Sequence, residues 1–279
     1  MDFKNISASF HPAYTWLWNS TITRQGIREQ LEEMYHAGIR AFYVIGEPEN
    51  FRPKIRRTHL SPEYLSDEYL DLLFYAHETG KAMGMHMWLY NEGGFPSGMA
   101  CGQIRQMHPE LAMKELIPVK LTLEAGTPYI PHSSTAAAFL GVTRILPEQA
   151  FDTAAEITEY RICPESWSGI RTDTAAKRNT EIFLHQTHER MKNRFGDAMG
   201  TDITLMFDDE ANMGTWTEGF DRIFREKYGY DILEYLPWIV GDFPPETDKQ
   251  YRARSDYFML CGDLVRDNYF TPMKQWLRQ

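Results

Sequence analysis

The sequence predicts an α/β fold built on parallel strands, and three observations predict it. Short apolar runs alternate with segments of helical period between Ala13 and Tyr90. The connections between them are short, which favours parallel strands with right-handed crossovers. The apolar runs also end alike, in Asn19, Glu47, Asn91-Glu92 and Asp208-Asp209-Glu210. Polar tips at the C-terminal ends of parallel strands are where (β/α)8 barrels build their sites. The fold class expected is therefore α/β and TIM-barrel-like. About four βα units precede Gln279 where a closed barrel takes eight, so the chain reads as truncated, with the C-terminal half of the barrel missing.

Residues 13–18 (AYTWLW) are aromatic and short, and read as the first strand. Thr23 then caps a helix that puts Ile27, Leu31, Met34 and Tyr35 on one face and ends at Gly38. Residues 41–45 (AFYVI) form a continuous apolar run, as in a strand buried on both faces. A polar loop follows to about Pro62. Ser66, with Asp67 and Glu68, opens a second helix that closes at Gly84, and residues 85–90 (MHMWLY) give the third strand.

From residue 116 to 162 the helical period disappears. Val119, Leu121 and Leu123 alternate with polar residues, and further strand-like segments follow at 136–145 and 156–162. The expected division is barrel over 1–115, a β-rich insertion over 116–171, and barrel again over 172–279. Helical period resumes at 174–195, and residues 204–207 form the fourth strand. Thr217 then caps a helix ending at Gly229, Asp231 and Glu234 resemble a capping box, and a long helix follows Asp248. Thr271-Pro272 reads as a cap and N1 proline that restart it.

A net charge of −10 argues against non-specific nucleic-acid binding. No stretch approaches the ~20 apolar residues of a membrane span. Cys101, Cys163 and Cys261 are widely spaced without a CxxC pair, and read as reduced and structural. The start, Met1-Asp2-Phe3-Lys4-Asn5, lacks an apolar signal region, so the expected address is cytoplasmic. Seven Trp and fifteen Tyr suit a sugar cleft, where flat rings stack on sugar faces, although core packing is the commoner use of such residues.

The chemistry on offer is acid–base. The chain has no GxSxG elbow, no P-loop, no GxGxxG, and no His-x-His at a strand end. Carboxylates flanked by aromatic residues suit glycosidic cleavage, in which one carboxyl donates a proton and another activates water or attacks. Glu210 is the expected acid or base, with Asp208 or Asp209 orienting it or holding a cation. Glu92 is the second catalytic candidate, against the plainer reading of a polar turn residue before Gly93-Gly94. Trp16, Trp18, Asn19, Glu47, Tyr90, Asn91, Phe95, Ser97 and Trp216 are the expected glycan contacts, and the glycines of 93–98 would allow close approach of a ligand. Asp208 and Asp209 beside Glu92 offer hard oxygen ligands suited to calcium. His185 and His188 read as a pair on a helix surface rather than as a metal site.

These motifs resemble a known family. Pro12-x-Tyr14-x-Trp16-x-Trp18-Asn19, Tyr90-Asn91-Glu92-Gly93-Gly94-Phe95-Pro96-Ser97-Gly98, Phe207-Asp208-Asp209-Glu210, Trp216-Thr217 and Gly229-Tyr230-Asp231 with Tyr235-Leu236-Pro237 are similar to segments of the α-L-rhamnosidase-type enzymes of glycoside hydrolase family 106. The resemblance implies a (β/α)8 catalytic barrel acting on rhamnose-containing glycans, with inversion and a bound calcium ion. It places the family's acidic residues on Glu210 and Glu92. The family often has Asp-Ser-x-Glu where this chain has Phe207-Asp208-Asp209-Glu210, and Asn91 stands where Asp is common. Two other readings remain: a non-catalytic carbohydrate-binding relative, and a metal-dependent hydrolase using Asp208, Asp209 and a histidine.

Overall fold

The computed structural model describes residues 11–51 and 57–278. The N-terminal residues 1–10, and 52–56 of the polar loop expected before Pro62, lie outside the described residues. In chain order the strands are β1 (Ala13–Trp18), β2 (Ala41–Gly46), β3 (His86–Tyr90), β4 (Lys114–Leu123), β5 (Thr135–Leu140), β6 (Thr143–Ile145), β7 (Ala155–Pro164) and β8 (Met206–Phe207). The helices are α1 (Arg24–His36), α2 (Asp67–Ala82), α3 (Gln103–Met107), α4 (Lys177–Phe183), α5 (Glu189–Phe195), α6 (Phe220–Tyr228), α7 (Leu236–Ile239), α8 (Asp248–Val265) and α9 (Thr271–Trp276). The chain divides into two compact units.

The first unit comprises residues up to Glu110 with 168–172 and 178–211. Its sheet runs β1-β2-β3-β8, and every pair is parallel. The helices start where the sequence places them, because their caps are local. The Thr23 hydroxyl accepts the Gly26 N–H at 3.1 Å, and the Ser66 hydroxyl accepts that of Tyr69 at 3.1 Å. Gly38 and Gly84 follow the two helices at φ 89° and 76°, a backbone that favours glycine.

Alternate residues of a strand face opposite sides, and registered partners in a parallel sheet share a side. One side carries Trp16, Trp18, Phe42, Val44, Met87 and Leu89, all buried. α1 packs Ile27 and Leu31 and α2 packs Tyr69, Leu73 and Ala76 into this core. The Trp16 indole donates to Gln30 of α1 at 2.8 Å, and Trp18 meets Tyr69 of α2 edge-on at 5.6 Å. Each such side chain contributes roughly 1.5–3 kcal/mol of burial. The other side is less covered: Thr15 and Leu17 are exposed and Tyr43, Trp88 and Phe207 half-buried, while Ala41, Ile45 and Tyr90 are buried.

The fourth parallel strand is shorter than residues 204–207 predict. Only Met206 and Phe207 pair with β3, opposite Leu89 and Tyr90. The chain before them is turned on itself by the bridge between Met199 and Ile203, with Gly200 at φ 89°.

The second unit comprises 111–167, 173–177 and 212–279. Its antiparallel sheet has the order β4-β7-β5-β6 and is the predicted insertion, begun two residues early at Lys114. The helices after Trp216, which the expected division assigns to the barrel, belong to this second unit. Trp216, Phe220, Phe224, Tyr257 and Leu260 share one core with Leu116, Phe139 and Tyr160 of the insertion. Thr217 does not cap α6; its hydroxyl donates to the Asp173 carboxylate, and Gly219, at φ 70°, takes the cap position. Nor does Thr271-Pro272 restart a helix. A wide turn over Arg266–Phe270 joins α8 to α9, so the proline sits inside a continuous helical run.

Candidate active site

The C-terminal ends of the parallel strands bring most of the predicted rim residues onto one edge. Glu47 follows β2, its amide donating to the Trp18 carbonyl at 2.9 Å, and it is buried. Asn19 follows β1 and its carbonyl accepts the His59 N–H at 3.0 Å. Gly46, the last residue of β2, pairs with Gly93, which places the loop after β3 beside the end of β2.

That loop, residues 93–101, is built around Glu92. The carboxylate is 1% exposed. Its Oε1 accepts the N–H groups of Gly93 (2.8 Å) and Cys101 (2.5 Å). Its Oε2 accepts those of Gly98 (3.1 Å), Met99 (2.9 Å) and Ala100 (2.9 Å). Ala100 and Cys101 adopt left-handed φ values of 48° and 51°, unusual for residues with a Cβ. Burial pushes the Glu92 carboxyl up to about 7, while the amides of Gly93, Met99, Cys101 and Ala100 pull it down. Gly93 and Gly94 serve packing rather than ligand approach. A Cβ on Gly94, at φ 81°, would lie 2.2 Å from the Phe51 ring, and one on Gly93 would lie 2.9 Å from the Tyr64 ring. Phe95 packs on Phe51 at 5.1 Å.

The acidic turn after β8 is tied to this loop. The Ser97 hydroxyl donates to Asn91 Oδ1 at 2.7 Å and accepts the Asp209 N–H at 2.9 Å. The Ser97 N–H donates to the Asp209 carbonyl at 2.7 Å. Asn91 Nδ2 donates to the Asp208 carboxylate at 2.9 Å. The Tyr90 hydroxyl donates to the Gly94 carbonyl at 2.7 Å and lies 3.1 Å from Asp209 Oδ2. Burial, then the charges of Asp209 and Glu92, keep that phenol protonated well beyond neutral pH. Glu210 follows, exposed, with its backbone at φ 53°. A glutamate held in the left-handed region is a strained position of the kind that gathers at functional sites.

Behind the rim, the less covered side of the sheet carries an aromatic layer. Tyr43 lies 5.4 Å from Phe207, 6.0 Å from Tyr90 and 6.4 Å from Trp88, all near-parallel. The reading of the sequence missed Tyr43 and Phe207. The available signal was their alternation with the core residues Phe42, Val44 and Leu89.

Comparison with known proteins agrees with the sequence motifs. The alpha-L-rhamnosidase family Glyco_hydro_106 matches residues 157–279. The chain resembles the rhamnosidase-type glycoside hydrolases. A solved rhamnosidase from Novosphingobium sp. PP1Y superposes with a TM-score of 0.59 at 12% identity, over 96% of this chain and 45% of that one. A Formosa agariphila protein named "Putative beta-glucuronidase" is 21% identical over 91% of this chain. The chain spans 27% of that relative's length.

Several expectations for a rhamnosidase-like rim are corrected by the geometry. Trp16 and Trp18 are not glycan contacts, since both lie on the helix-covered side of the sheet. Trp216 is 4% exposed in the core of the second unit. Glu92, with both oxygens taken by backbone amides, is not presented to a substrate. His185 and His188 are not a surface pair: His185 is exposed, whereas His188 is buried against Phe183. The helix widens over Leu184–His188 and turns the two rings apart. The donor set does not fit calcium, which takes six to eight oxygens. Asp208 accepts from Asn91, Asp209 lies against the Tyr90 hydroxyl, and among the described residues no three acidic, His or Cys side chains converge on a point.

Proposed function

We propose that this chain is the N-terminal part of the catalytic barrel of a glycoside hydrolase that cleaves α-L-rhamnosides, with Glu210 as the proton-transfer residue. The observation that carries the reading is the presentation of Glu210. It is exposed at the C-terminal end of a parallel strand, on a left-handed backbone next to two anchored aspartates. A carboxyl so placed can protonate a glycosidic oxygen or take a proton from water, which contributes ~10²–10⁴ in rate. Asp209, anchored by Ser97 and facing the Tyr90 hydroxyl, holds the turn. Asn19, Glu47, Asn91, Phe95 and Ser97 line or support the same edge.

The less covered side of the parallel sheet supports the barrel reading. A layer of half-buried rings beside exposed Thr15 and Leu17 is the face that four further strands would cover. The glycan substrate follows from the relatives' names and from the rim carboxylates.

The test uses the gene's full product and the 279 residues alone. The full product should hydrolyse an aryl α-L-rhamnoside, and Glu210→Gln should lower kcat by ~10²–10⁴ with an unchanged thermal midpoint. The 279 residues alone should be inactive and self-associated on size-exclusion chromatography, because the parallel sheet keeps unpaired edges. Retention of activity within about threefold by Glu210→Gln would remove Glu210 from the chemistry.

A further inference from the structure

A ring of backbone N–H groups converging on one point is a concave site for an anion. In this protein the loop after β3 is such a ring, and the anion is its own Glu92. Five amides from Gly93, Gly98, Met99, Ala100 and Cys101 reach the two carboxylate oxygens within 3.1 Å. Two of those amides come from residues with a Cβ in the left-handed region, a backbone that needs a compensating partner. The loop closed in this way delivers Ser97 to a defined place. There its hydroxyl and its N–H make three hydrogen bonds to Asn91 and to the Asp209 backbone. The Gly98 carbonyl is held from the other side by the Thr172 hydroxyl (2.7 Å) and Asn179 Nδ2 (3.0 Å).

We propose that Glu92 is a positioning residue: it is the internal anion that closes loop 93–101, and through Ser97 the closed loop sets the backbone of Asp209 and the placement of Glu210. The proposal rests on the reading of Glu210 as the proton-transfer group. It assigns Glu92 no contact with substrate. The acid at the tip of β3 organises the acid at the tip of β8, and the two are not a catalytic pair.

The experiment reads amide hydrogen exchange at pH 8, above the Glu92 value of about 7, in the gene's full product without substrate. Glu92→Gln puts an NH2 group against amide donors, and should speed exchange at Gly98–Cys101 and at Asp209 by about tenfold or more. Glu92→Ala should do the same, and added formate, small enough to enter the emptied ring, should restore slow exchange at all of these amides. Glu92→Asp keeps the charge and should fall between. Ser97→Ala, which leaves the ring intact, should loosen Asp209 while Ala100 and Cys101 stay protected. Wild-type exchange in Glu92→Gln together with lost hydrolysis would make Glu92 catalytic and overturn the proposal. Loosening of the loop with Asp209 still protected would overturn the link through Ser97. If Glu92→Ala does not fold, the Gln, Asp and Ser97→Ala variants decide alone. The exchange readout is independent of Glu210, so a failure of the hydrolase reading shows in the Glu210→Gln assay and not here.

Discussion

Two acidic tips on adjacent parallel strands look alike in the sequence and are held in opposite settings. Glu92 follows β3 and is 1% exposed, with its oxygens saturated by five amides of its own loop. Glu210 follows β8, is exposed, and sits on a left-handed backbone. The difference lies in what comes next along the chain. After Glu92 come Gly93, Gly94, Gly98 and Gly102, four glycines that let the backbone curl back over the carboxylate. After Glu210 come Ala211, Asn212 and Met213, with no glycine until Gly214. The glycines after Glu92 thus let the amides of its own loop reach it.

The largest expected effects set the two tips against each other. Glu210→Gln should remove most of kcat with little change in melting, whereas Glu92→Gln should cost on the order of 3 kcal/mol of stability from lost charge-assisted hydrogen bonds. Equal melting points for the two variants, measured by calorimetry, would break the comparison. Gly94→Ala sharpens it from the backbone side. A Cβ 2.2 Å from Phe51, at φ 81°, should destabilise by roughly 2–4 kcal/mol. A denaturant titration that finds Gly94→Ala neutral would mean that the loop is not tightly wrapped.

Acid should act on a buried histidine of the first unit. Burial holds His188 down to about 3, against 6.5 for an ordinary histidine. Its folded value is the lower one, so its contribution is present above about 6.5 and is lost as pH falls towards 3. The slope is about 1.4 kcal/mol per pH unit for one proton. His188→Gln should flatten that part of the stability curve in urea melts at several pH values, and an unchanged curve would assign the acid sensitivity elsewhere. The smallest effect expected is that of calcium. Added to chelator-treated protein, it should leave the thermal midpoint of both tips' variants unmoved, and a rise reproduced by calcium but not by magnesium would restore a cation site at Asp208 and Asp209.

Much of the first unit was legible because its signals are local. Thr23, Ser66, Gly38 and Gly84 act within a turn of their own position, and the structure uses them as read. Thr217 failed because a partner 44 residues away, Asp173, takes its hydroxyl. The Trp assignments failed for a different reason. Period two separates Trp16 and Trp18 from Thr15 and Leu17, but does not say which set the helices cover. The rim acids were legible as a group, since each ends an apolar run. Their different settings were not, because these depend on left-handed φ values at Ala100, Cys101 and Glu210 that no residue type announces.

The backbone at Glu210 sets survival against purpose. Glycine would sit in that conformation without penalty and asparagine with little, whereas glutamate costs about 1 kcal/mol there. A library of variants selected for heat resistance alone should therefore drift at this position towards glycine or asparagine. Passage under a demand for turnover should hold the acid in place, and sequencing the two survivor pools at codon 210 would read the selection acting on each.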